Sequence, residues 1–137
     1  MTTAAIFDLD GTLFSGHVWD GLFRHHRHHR RNRLLLYGYL GLHIPLWLPY
    51  KVGLVSGGYL RLTWARHMSW VLRGMSVGEV ARAFDWVADE YVMPLVYPDV
   101  VAVLREHQAQ GERVVLLSGA LEGLLTTIGA RLGVDTV

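Results

Sequence analysis

Asp8 and Asp10 stand one residue apart in IFDLDGTLF, residues 6–14, with Gly11 and Thr12 directly after them. Two carboxylates so placed at the end of an apolar run repel each other, so a cation or a reaction has to justify them. Carboxylates form aspartyl-phosphate intermediates, which suits Asp8 to the part of nucleophile. Asp10, one residue past the strand, can turn back as general acid and base for the leaving group and the attacking water. A divalent cation offsets the repulsion. Mg2+ favours one or two carboxylates with phosphate oxygens and waters, which makes Asp8 and Asp10 the candidate metal ligands. Gly11 permits the sharp turn. Much later, Ser118 follows the apolar run RVVLL, and Ser118 with the Gly119 N–H can hold phosphate oxygens at a helix N-terminus. A chance Asp-Asp-Gly turn and a plain N-cap serine are the alternative readings; the strand-then-turn context favours the functional one.

The elements that must position these residues are legible in outline. Residues 3–8 read as a short buried strand. Residues 98–111 read as a helix opened by Pro98 and Asp99 and stopped at Gly111. RVVLL, residues 113–117, has the pattern of a strand covered on both faces. Leu121, Leu124, Leu125, Ile128 and Leu132 then recur at helical spacing. Helix, strand and helix in that order predict a parallel sheet with crossover connections, an α/β fold whose ligands bind beyond the carboxyl ends of the strands. The intervening residues are helical in character. Their clearest helix covers 76–92, with a capping-box pattern at Ser76 and Glu79 and a stripe of Val80, Phe84, Val87 and Tyr91. The expected organisation is an α/β core of residues 1–14 and 96–137 and a helical cap of residues 15–95.

FDLDGTL resembles the first motif of the haloacid dehalogenase superfamily of phosphatases, and VVLLSGA resembles its second. VLRGMSVGEVARAF followed by YPDVVAVLREHQAQGERVVLLSGA is similar to the branch of phosphoserine phosphatase-like hydrolases, subfamily IB. The resemblance implies a partial Rossmann-like sheet with a C1-type cap after strand one. It implies Asp8 as nucleophile and metal ligand, Asp10 as acid/base with its main-chain carbonyl on Mg2+, and Ser118 as phosphate anchor. Gly119 and Thr12 join the phosphate-binding group, Thr12 also ordering the loop. The family further needs a lysine and an acidic loop after the second motif. The sole lysine is Lys51, and the acids after Ser118 are Glu122 and Asp135. The chain is therefore expected to be truncated before its third and fourth motifs, and weakly active or inactive alone. Two lost electrostatic contributions remove about four orders of magnitude in rate. The expected function is a Mg2+-dependent phosphomonoester hydrolase for a small or lipid-linked phosphate. Phosphoryl transfer to another hydroxyl, as in mutases, and a non-catalytic membrane-associated fragment are the alternatives. A phosphoserine-specific enzyme would need an early acid in its cap, and Asp20 is the only one between Gly11 and Glu79.

Composition sets the outer bounds. The 137 residues are 51% hydrophobic, enough for a folded core, and carry no cysteine, which excludes disulfides and thiolate metal sites. A net charge of +1 gives no global field for nucleic acid. Five arginines fall between residues 24 and 33, interleaved with His25, His26, His28 and His29, and read as a solvated basic helix face rather than a metal site. Residues 34–50 follow without a formal charge, rich in Tyr and Trp but broken by Pro45 and Pro49. They suit either a hairpin packed within the cap or a segment lying in a membrane interface, through residues 24–51. The expected location is cytoplasmic, and peripheral to a membrane if the interface reading holds; the open sheet edge offers a route to self-association.

Overall fold

A computed structural model describes residues 3–134 and 137. Strands β1 (Ala4–Asp8) and β2 (Arg113–Leu117) pair in parallel, Ala5 opposite Val114 and Asp8 opposite Leu117. Between them the chain is helical: α1 (Val18–His28), α2 (Arg33–His43), α3 (Trp47–Lys51), α4 (Gly57–His67), α5 (Val77–Val87) and α6 (Pro98–Ala109). Helix α7 (Glu122–Arg131) follows β2. This is the α/β layout that the sequence predicts, because parallel neighbours need a crossover and a helical crossover buries a sheet face.

The chain forms two compact units, Met1–Leu22 with Ala81–Val137, and Phe23–Val80. In the first, the chain leaves and rejoins the sheet side by side: the Ser15 N–H donates to the Leu95 carbonyl and the Tyr97 N–H to the Leu13 carbonyl. Leu9, Leu13, Phe14, Val18 and Leu22 are fully buried, with Val87, Ala88 and Val92 from the α5 end and the π-helical turn Ala88–Val92. Leu124, Leu125, Ile128 and Leu132 are buried as the helical spacing requires, and Arg131 pairs with Asp85 and Asp89.

The sheet departs from expectation in its cover. Neither strand is enclosed on both faces. Val114 and Leu116 are buried, and their partners Ala5 and Phe7 half-buried. The opposite face leaves Ile6 66% and Leu117 64% exposed. A run of apolar residues cannot distinguish a strand covered twice from one covered once, since both faces are apolar in either case.

In the second unit Leu36, Tyr39 and Val71 form the core, with Phe23, Leu40 and Leu72 against them. The capping box at α5 forms: the Ser76 N–H donates to Glu79 Oε2 at 2.7 Å, and the Glu79 N–H to Ser76 Oγ at 3.3 Å. The solvated reading of the histidine cluster holds for His28 and His29 only. His26 is fully buried and its Nε2 donates to the Val71 carbonyl at 2.8 Å, and His25 is buried beside it. His43, also buried, donates from Nδ1 to the Tyr39 carbonyl, and its Nε2 shares a hydrogen bond with His67 Nδ1 at 2.8 Å. Histidine has an apolar body and two polar ends, and in His26 and His43 a carbonyl meets one end and a neighbouring imidazole the other. Among the described residues no three His, Asp or Glu side chains are grouped to hold a metal ion.

Candidate active site

Parallel pairing of β1 and β2 puts Asp8 and Leu117 at the same strand end, so the residues that follow each strand meet there. Gly11 has a φ of 76°, a conformation that costs glycine little, and it reverses the chain after Asp10. Its N–H donates to the Phe14 carbonyl, and the Leu13 N–H to the Leu9 carbonyl. The turn is thereby closed on itself. Thr12 is carried back beside the strand end, where its hydroxyl donates to Asp8 Oδ2 at 2.9 Å.

Asp10 is the hub. Its Oδ1 accepts from the Val18 N–H at 2.7 Å, the first residue of α1, and its Oδ2 accepts from Ser118 Oγ at 3.3 Å. One carboxylate thus joins the turn after β1, the start of α1 and the turn after β2. Asp8, by contrast, is exposed. The Asp10 carboxyl is raised above the usual aspartate range, chiefly because burial disfavours its charge. The Val18 hydrogen bond, the nearby His17 and the Ser118 hydrogen bond pull in the opposite direction, while Asp8 adds to the rise.

The structure brings Asp8, Asp10, Thr12 and Ser118 to one strand end. The helix N-terminus expected at Ser118 is not there. Helix α7 starts at Glu122, and Ser118 Oγ accepts from the Ala120 N–H at 3.1 Å in a tight turn. Serine competes for nearby backbone donors in this way, which delays the helix until Glu122. Gly119 lies exposed in that turn. Asp135 lies outside the described residues. Lys51 closes α3 in the Phe23–Val80 unit, its Nζ 4.5 Å from the Trp47 ring centroid.

Two contributors escaped the sequence reading, His17 beside Asp10 and the Val18 N–H. A capping search looks three residues ahead of a helix, whereas this cap arrives from eight residues upstream. The adjacency of His17 to the start of α1 was the available signal for the first.

The haloacid dehalogenase-like hydrolase family matches residues 5–137. The chain belongs to that family. Among solved structures, this haloacid dehalogenase-like chain is similar to a protein of unknown function from Bordetella pertussis Tohama I. The two share 20% identity at a TM-score of 0.73, over 99% of this chain and 59% of the other. It is also similar to a phosphoserine phosphohydrolase-like protein from Francisella tularensis subsp. tularensis SCHU S4. That pair shares 14% identity at a TM-score of 0.53, over 98% of this chain and 55% of the other. Such identities establish a shared fold, and the chain spans less than two thirds of either structure. No curated protein matches it.

Proposed function

We propose that the chain carries the nucleophile half of a Mg2+-dependent phosphomonoester hydrolase of the phosphoserine phosphatase-like branch. The supporting observation is the Ser118–Asp10 hydrogen bond, which links the carboxyl ends of β1 and β2 and leaves Asp8 facing outward between them. In the proposed reaction Asp8 attacks phosphorus and the ester P–O bond breaks, leaving an aspartyl-phosphate. Asp10 delivers its proton to the departing alkoxide. It then takes one from the water that attacks phosphorus, and inorganic phosphate leaves with Asp8 restored. Burial prepares Asp10 for this part, because it favours the protonated form that the first step consumes.

Asp8 offers hard oxygen donors in an exposed position, which fits Mg2+ with its retained waters. By the family resemblance Asp10 would lend the metal its main-chain carbonyl, while its side-chain oxygens accept from the Val18 N–H and the Ser118 hydroxyl. Mg2+ would supply charge neutralisation for the phosphoryl group. Thr12 orders Asp8, while Ser118 and Gly119 contribute phosphate contacts. Residues 1–14 and 96–137 act as the core, residues 15–95 as the cap, and the substrate is a small phosphate ester. The absence of cysteine suits a cytoplasmic setting.

Hydrolysis of an aryl phosphate with Mg2+, beside Asp8→Asn, tests the reading. Turnover in the native chain and a loss of at least about a thousandfold in the variant support it. Equal turnover by both chains would refute it. A second reading is a chain that keeps the motif without turnover. Silence from both chains in the same assay favours it.

A further inference from the structure

The net charge of +1 conceals a segregation that follows the compact units. Phe23–Val80 holds eight arginines and one lysine against the single acid Glu79, a net +8. The rest of the chain holds four arginines and eleven acids, a net −7. Among the described residues the basic unit also carries most of the large exposed apolar side chains. Helix α2 buries Leu36, Tyr39 and His43, yet after the exposed Arg33 at its start its outer side offers Leu34, 88% exposed, with Tyr37 and Leu42 and no further charge. A helix with one face in water ordinarily carries polar residues there. The pattern continues past α2, where Leu48 and Leu54 are 67% and 80% exposed. Between Leu34 and Tyr50 no formal charge interrupts it.

We propose that the Phe23–Val80 unit docks on an anionic phospholipid surface, its leucines entering the acyl boundary and its arginines meeting headgroup phosphates. The charge is complementary to that occupant, and the apolar side chains decide between polyanions: a nucleic-acid backbone rewards cations but gains nothing from exposed leucine. Trp47 and Tyr50 have the amphipathic rings that settle at headgroup depth, and Lys51 over the Trp47 ring keeps its ammonium at the polar side. The docking is peripheral. Among the described residues no helix is long and apolar enough to cross a membrane, and Pro45 opens a 3-10 turn, Ile44–Leu46, that ends α2. Docking does not depend on the proposed catalysis.

Flotation with phosphatidylcholine vesicles, with and without phosphatidylglycerol, tests this on the whole chain. Flotation is expected with the anionic vesicles and should weaken in about 1 M salt, where the Debye length falls to about 3 Å. Leu48→Asp with Leu54→Asp should abolish it while leaving the circular dichroism unchanged, since both side chains are exposed. Arg27→Gln with Arg33→Gln should weaken it by roughly 25-fold, about fivefold for each surface arginine. Asp8→Asn should float like the native chain, which separates a failure of docking from a failure of the catalytic reading. No flotation at any lipid composition overturns the proposal. So does binding that RNA displaces and the aspartates leave intact, which would mark a nucleic-acid surface. A stable dimer that the aspartates dissolve, without vesicle binding, would assign the apolar patch to a second copy and equally overturn it.

Discussion

Asp10 can be tested without any turnover, because it carries structure as well as the proposed chemistry. Asp10→Ala removes the acceptor of the Val18 N–H and the partner of the Ser118 hydroxyl. An unsatisfied N–H at the first residue of α1 costs about 1–2 kcal/mol, as a lost N-cap does. Loss of the negative charge near that N-terminus adds about 0.3–1 kcal/mol. Relief of a half-buried charge offsets part of this. Asp10→Asn keeps an oxygen for Val18, offers its NH2 to Ser118 Oγ, and removes both the desolvated charge and the repulsion from Asp8. The asparagine variant should therefore match or exceed the native chain in stability, with alanine below it by about 1–2 kcal/mol. In a chain of this size that separation is roughly 3–8 °C in Tm. Thermal melts followed by circular dichroism at neutral pH, checked by urea titration, measure it. Equal melting of the two variants would show that Asp10 does not hold α1, and the hub geometry would be wrong.

Two further predictions concern packing and pH. Gly21 lies in α1, where alanine ordinarily gains about 1 kcal/mol, but a Cβ there would meet Val87 Cγ1 at 2.6 Å and Tyr91 Cδ1 at 2.7 Å. Gly21→Ala should lower the unfolding free energy from urea titration by about 1–2 kcal/mol, since overpacking costs about 1–3 kcal/mol; a raised urea midpoint would show that α1 yields freely. His25 is held down to about 4, first by burial and then by His26, His29 and His28. Its folded value lies below the unfolded 6.5, so the unfolded chain binds the extra proton. The associated stability is intact above pH 6.5 and drains away as pH falls toward 4, by up to about 3 kcal/mol. His25→Gln should flatten that acid limb in urea titrations, and an unchanged pH profile would count against burial as the cause.

What the sequence revealed and hid follows from the range of the interactions. Local signals were dependable: the Ser76–Glu79 box formed as its spacing required, and α6 stopped before Gly111. The strand ends were placed because Asp-Gly and Ser-Gly interrupt apolar runs abruptly. Ser118 misled because a hydroxyl before a helix pattern satisfies two geometries, an N-cap or a separate turn, and only the Ala120 hydrogen bond decides. His26 misled because it is buried against the Val71 carbonyl, 45 residues further along the chain. The cap on α1 was invisible for a similar reason, its carboxylate arriving across a turn.

Stability alone gives a poor account of Asp10. A fold seeking only to cap α1 could place serine or asparagine beside Val18 and avoid burying a charge next to Asp8. Instead the chain accepts a carboxylate that burial and Asp8 both penalise, and gives it donors from two other segments that compensate in part. Local choices that work against the fold concentrate at sites where another requirement rules. An asparagine can do the structural work but cannot exchange a proton, so the penalty is intelligible if the proton is what the position is for. The stability of Asp10→Asn and its activity should then move in opposite directions, a combination that a purely structural aspartate would not give.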